Sequence, residues 1–207
     1  MTESIWPTIH AERTALADDL AQLTPEQWHT ASLCTRWDVH DVFAHLLSAA
    51  KMTPPKFIVR FAGAGFNFDR FAGRQVHKEG AGGPTATMAA FRSAENRTSA
   101  PPGPKDTWLG EAFVHGEDIR RPLGITHQYP TDFVTRTIAF YAGSQAIIGG
   151  RDRVAGLTLM ATDADFSVGS GPVVEGPAIS LLLAAAGRKS ALDELRGPGV
   201  EILRERA

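Results

Sequence analysis

From Arg36 to Met52 the chain runs RWDVHDVFAHLLSAAKM, and Val39, Val42, Phe43, Leu46, Leu47 and Ala50 fall on one broad face of a helix. Apolar residues recurring every three to four positions must be buried against neighbouring elements, which makes helix packing the device that builds this core. Asp38 stands where an N-cap is needed, and Asp41 adds a negative charge to the first turn.

The same periodicity continues on both sides. Ile9, Leu16, Leu20 and Leu23 share a face behind Pro7, a residue favoured in a first helical turn. Leu23-Thr24-Pro25 ends that helix, and Thr24 is placed to cap a short turn through Trp28. After Pro54 and Pro55 comes a glycine-interrupted helical pattern in which Phe57, Phe61, Phe66, Phe68 and Phe71 are either core or the wall of a pocket. A short helix from Thr85 to about Asn96, a proline-rich loop and the segment Trp108 to Gly124 follow. Thr131 then caps a last long helix through Val134, Ile138, Tyr141, Gln145 and Ile148, stopped by Gly149-Gly150.

Beyond Arg151 the pattern changes. GLTLMATDADFSVGSGPVVEG alternates around an Asp-Ala-Asp turn, as a small antiparallel hairpin or meander does. PAISLLLAAAGR and SALDEL read as helices, and GVEILRE as a final strand. The expectation is a mainly α protein, with a helical bundle over residues 1–150 and a small α+β unit over 151–207.

A formal net charge of −2 leaves no basic footprint for nucleic acid or an anionic membrane. The N-terminal stretch lacks the apolar run of a secretory signal, and the run from Ala178 to Gly187 is too short to span a bilayer. Cys34, the sole cysteine, excludes an internal disulfide and a multi-cysteine zinc site, and reads as structural. A cytoplasmic protein with small-molecule partners, as monomer or homodimer, is expected.

The chemistry concentrates in WLGEAFVHGEDIRRPLG, residues 108–124. On a helix, Glu111, His115 and Asp118 stand at i, i+4 and i+7, opposite Leu109 and Phe113. That stripe is either a solvated face or part of a metal site, since a carboxylate and an imidazole one turn apart can reach one divalent cation. A third ligand must come from elsewhere. His45, on the flank of the second helix, is the best candidate, although a histidine there also suits a packing edge. His10, His29, His77 and His127 have no partner at recognisable spacing and read as surface residues.

Taken together, RWDVHDVFAHL and EAFVHGEDIRRPLG resemble the actinobacterial family of mycothiol-dependent maleylpyruvate isomerase-like proteins. The resemblance extends through GLTLMATDADFSVGSGP, VVEGPAISLLLAAAGR and ALDELRGPGV, nearly the whole chain. It implies a DinB-like up-down four-helix bundle and a divalent metal, most simply Zn2+, on His45, Glu111 and His115. It further implies that Asp118 supports a ligand, that Arg188 takes part in the reaction, and that mycothiol is the thiol cosubstrate. Arg120 and Arg121 read either as anion-binding groups for substrate or as helix-end charges.

Two histidines and a carboxylate leave the fourth position of a tetrahedral zinc open, which suits catalysis. The resemblance therefore implies an isomerase or S-transferase acting on a small electrophile. A metal-dependent hydrolase and a non-catalytic metal-binding or interaction domain remain as alternatives on the same fold.

Overall fold

The computed structural model describes residues 4–145 and 150–206. The described chain is mainly helical, with one small three-stranded sheet, as the expected fold class requires. No described helix is long and apolar enough to cross a membrane. Contacts divide it into two units, residues 1–127 and 128–207.

The first unit contains α1 (Trp6–Asp19), α2 (Val39–Lys51), α3 (Pro54–Gly63), α4 (Phe68–Gly80), α5 (Gly83–Arg92) and α6 (Asp106–Arg120). Helix α2 is central and packs on α4, α5 and α6, while α1 packs on α6 and α5. Its N-terminus is capped as its sequence dictates: Asp38 Oδ1 accepts the Asp41 amide at 2.8 Å. The predicted stripe is wholly buried, and Phe43 packs between Trp28 and Phe91 with ring centroids 5.6 and 4.5 Å away. Burying a side chain of that size contributes about 1.5–3 kcal/mol, so this trio anchors α5 and the Trp28 turn to α2.

The Phe-rich stretch forms two helices, α3 and α4, rather than one broken helix. Phe57, Phe61 and Phe71 close on one another with Met52 in a small satellite core, whereas Phe66 and Phe68 are exposed.

The second unit holds α7 (Thr131–Gly143), α8 (Gly150–Val154), β1 (Thr158–Ala161), β2 (Ser167–Gly169), β3 (Val173–Gly176), α9 (Ala178–Ala185) and α10 (Val200–Arg206). Helix α7 packs on α9, so the last long helix joins the C-terminal unit, and the units divide earlier than the expected boundary near Arg151. Thr131 begins α7 instead of capping it; Pro130 holds the cap position without a side-chain bond. Ile148 and Gly149, assigned to the end of that helix from sequence, lie outside the described residues.

Strand β1 is the middle of the sheet, antiparallel to β2 as expected for a hairpin but parallel to β3. The Asp-Ala-Asp turn also serves the helix that follows the sheet, since Asp163 Oδ1 accepts the Ala178 amide at 2.8 Å and so caps α9. The expected final strand is helix α10, because Val200 and Leu203 bury at helical spacing.

Candidate metal centre

Helix α6 carries Glu111, His115 and Asp118 along one side, and Leu109 and Phe113 are fully buried on the other. A 3-10 turn, Arg121–Leu123, continues α6 and closes with a left-handed residue, Gly124 at φ 70°, while the Ile125 amide bonds back to Arg120 O at 3.0 Å and that of Gly124 to Arg121 O at 3.1 Å. This double closure satisfies the last carbonyls and fixes the end of the helix. Helix α2 runs against it and supplies His45, half-buried under the Trp37 ring at a centroid distance of 5.1 Å.

His45 Nε2 donates to Glu111 Oε2 at 2.9 Å, and His115 Nε2 lies 3.9 Å from the same oxygen. The two imidazoles meet edge to face, with centroids 4.8 Å apart. One ligand atom from each of His45, Glu111 and His115 falls within 4.8 Å of the others. Neighbouring ligands on a tetrahedral zinc with bonds of about 2.0–2.1 Å sit roughly 3.3–3.4 Å apart. The distances of 2.9 and 3.9 Å straddle that spacing, so this donor set fits a divalent ion after small side-chain rotations.

The far side of His115 is equally defined. Its Nδ1 lies 2.8 Å from Oδ2 of Asp118, whose side chain has no exposed surface. A ligating histidine commonly donates its other nitrogen to a carboxylate, which fixes the ring and its tautomer. Burial disfavours the charged form of His115, but hydrogen bonds to Asp118 and Cys34 and the charge of Glu111 outweigh it and push the pKa up to about 10. Without a metal, His115 is therefore an imidazolium that neutralises the acids around it. A second group that could hold an ion, Cys34, His115 and Asp118, shares this histidine through Nδ1. Because Asp118 already holds Nδ1, the open nitrogen is Nε2, on the His45 and Glu111 side.

A cleft between α1, α2 and α6, walled by Trp6, Ile9, Leu46, Ala49 and Trp108, has Glu111 in its lining.

Arg120 and Arg121 pair with carboxylates of the first unit. Arg120 is fully buried and donates from Nε to Asp19 Oδ2 at 2.7 Å, with Glu12 at 3.9 Å from Nη1. Arg121 donates to Glu117 at 2.7 Å, one turn back on α6. Both pairings lie within the first unit. Arg188 lies in the second unit just past Gly187, where α9 ends in a left-handed residue at φ 87°. Its Nη1 donates to Ala186 O at 3.0 Å.

Three pairings escaped the sequence reading. Cys34, expected to be merely structural, donates its thiol to Asp118 Oδ2 at 3.0 Å and lies 3.8 Å from His115 Nδ1. His127, expected at the surface without a partner, sits 2.9 Å from Glu12 Oε2, and His29 likewise pairs with Asp38 at 3.0 Å. Burial, partly offset by Arg120, pushes the Glu12 pKa up to about 7. No spacing signals the long-range pairings, since 84 residues separate Cys34 from Asp118 and 115 separate Glu12 from His127.

A mainly helical unit that turns two histidines and a glutamate toward one point, with a buried aspartate behind one histidine, defines the class: a helical domain with a candidate metal centre. The family model of the mycothiol maleylpyruvate isomerase N-terminal domain matches residues 9–120, more than half of the chain. The chain belongs to that family, and His45, Glu111, His115 and Asp118 all lie within the matched region. Among solved structures, a histidine-to-alanine mutant of the mycothiol-dependent maleylpyruvate isomerase is similar, at 14% identity and TM-score 0.51 over 93% of this chain and 91% of that one. The crystal structure of the mycothiol-dependent maleylpyruvate isomerase matches with the same identity and coverage at TM-score 0.47. Likeness at this identity concerns the fold alone. A search of curated proteins found no match.

Proposed function

We propose that this chain is a divalent-metal- and thiol-dependent enzyme of isomerase or S-transferase type, with His45, Glu111 and His115 as the metal ligands. The observation that carries the reading is the convergence of three ligand atoms within 4.8 Å, backed by the buried Asp118 on the other nitrogen of His115. Zn2+ suits the donor set, two imidazoles and one carboxylate, and leaves a fourth position open. A bound zinc ion lowers the pKa of a thiol that reaches this open position, so that thiolate is present at neutral pH.

The family's own description names mycothiol, which makes that thiol the first cosubstrate to test. The remaining steps fall to this chain's residues. Asp118 keeps Nδ1 of His115 protonated and Nε2 available. Trp37 covers His45 and limits water around it. In an isomerase reaction, thiolate adds to one carbon of an activated double bond, the new single bond rotates, and elimination returns the thiolate with the trans product. In a transferase reaction the carbon–sulfur bond is kept, and the carbanion left by the addition takes a proton from solvent. Arg188, in the second unit, is carried in this reading only as a residue that takes part in the reaction, as the resemblance implies.

The test combines elemental analysis of the purified protein with a rate assay on maleylpyruvate and other small electrophiles, with and without mycothiol. The expected result is near-stoichiometric metal and turnover that requires both metal and thiol. Metal with thiol-independent hydrolysis would replace this reading with the hydrolase one, and absence of metal after attempted reloading would end it.

A further inference from the structure

The loop between the Trp28 turn and α2 is pinned to α6 at Asp118. The Leu33 amide donates to Asp118 O at 3.1 Å, and the Cys34 thiol donates to Asp118 Oδ2 at 3.0 Å. The loop is braced to deliver the thiol there: Ser32 Oγ accepts the Cys34 amide at 3.0 Å and donates to Trp37 O at 2.7 Å, and the Trp37 amide donates to Cys34 O at 3.0 Å. Oδ2 of Asp118 therefore accepts from two donors, His115 Nδ1 at 2.8 Å and Cys34 Sγ at 3.0 Å. A carboxylate without exposed surface needs several donors to stay in place.

We infer that Cys34 is a positioning residue of the metal centre, which holds the Asp118 carboxylate in the orientation that aims His115 at the ion. The inference rests on the metal-binding reading given above. Cys34 acts through Asp118 and does not itself ligate, because its sulfur lies on the Nδ1 side of the ring while Nε2 faces Glu111. Asp118 without the thiol keeps one fewer donor and gains freedom to swing, and the imidazole it orients loses alignment. The thiol also makes the loop ahead of α2 part of the site, since Trp37, which covers His45, belongs to the same braced loop.

The experiment is a titration of the full chain with Zn2+ against a chromophoric chelator, and with Co2+ followed by absorption, for the native protein, Cys34→Ala, Cys34→Ser and Asp118→Asn. Loss of a group that orients a ligand typically costs about 10–100-fold in metal affinity. Cys34→Ala is expected to weaken Zn2+ binding by about tenfold and to alter the Co2+ ligand-field bands. Cys34→Ser, whose hydroxyl can donate to the same oxygen, is expected to recover most of the affinity and the native spectrum. In an Asp118→Asn background, Cys34→Ser and Cys34→Ala are expected to bind equally, because the coupling runs through that carboxylate.

Native affinity and spectrum in Cys34→Ala would overturn the inference and leave the metal site standing. A thiolate-to-cobalt charge-transfer band in the native protein, lost in Cys34→Ser, would overturn it differently by making Cys34 a ligand. Failure of the native protein to bind either ion would remove the metal-binding reading and this inference together. Should Cys34→Ala not fold, the comparison of Cys34→Ser with the native protein in both backgrounds decides: serine that fails to restore binding overturns the inference.

Discussion

His45 Nε2 donates to Glu111 Oε2 at 2.9 Å across the contact between α2 and α6, although 66 residues separate the two. The raised pKa of His115, pushed up to about 10, puts a positive charge beside Glu111, next to the point on which the three side chains converge. An ion that binds there displaces that proton.

Substitution of the three ligands should show this directly. His45→Ala, Glu111→Ala and His115→Ala are each expected to weaken Zn2+ binding by more than roughly 100-fold, beyond the loss typical of an orienting partner. A chelator-competition titration with circular dichroism as a folding control measures it. Native affinity in any one of them removes that residue from the ligand set.

Metal uptake should be strongly pH-dependent. His115 has its pKa pushed up to about 10, so binding at pH 7–9 releases its proton. Affinity is expected to rise about tenfold per pH unit in that range, with the released proton visible by calorimetry in buffers of different ionisation enthalpy. The same shift acts on the stability of the metal-free fold. The folded value lies above the ordinary histidine value of 6.5, so the contribution is complete below pH 6.5 and is lost as pH rises through 10. Urea midpoints of the metal-free protein should fall across this window, and His115→Gln should flatten the fall.

Arg120 offers a test of packing against ligand binding. Its guanidinium is buried beside Asp19 and Glu12, and removing one partner of a buried pair costs about 3–5 kcal/mol. Arg120→Ala is expected to lose stability on that scale in chemical denaturation. Arg121→Ala, which gives up one pair with Glu117 within the helix, should cost about 1 kcal/mol. A stable Arg120→Ala protein with impaired substrate binding would reverse the assignment.

The cap of α2 makes a smaller and separate prediction. Asp38→Ala removes the acceptor of the Asp41 amide, at a cost of about 1 kcal/mol. The unfolding free energy from urea curves should fall by that amount while Zn2+ affinity stays near native, because His45 lies nearly two turns further along the helix.

Periodicity made the helices legible. The stripe from Val39 to Ala50, the Asp38 cap, the end of α6 at Gly124 and the shared face of Glu111, His115 and Asp118 all follow from residues within a few positions of one another. Local spacing determines such features because a helix brings i, i+3 and i+4 together wherever it lies. The four candidate residues could be named from the sequence as well, but no local rule links α2 to α6. His45 was the best candidate only as a histidine on the flank of a neighbouring helix, and the resemblance then joined it to the other three.

Only the tertiary structure decided which distant groups meet. The docking of one braced loop against α6 turned Cys34 from a lone cysteine into a second donor for Asp118. Burial of α6 against α1 turned Arg120 from a helix-end cation into the partner of Asp19. Packing on α9 drew α7 into the C-terminal unit, and burial at helical spacing made Val200–Arg206 a helix where its short apolar run had suggested a strand. Each depends on which surfaces exclude water together, and that is a property of the assembled chain rather than of any stretch within it.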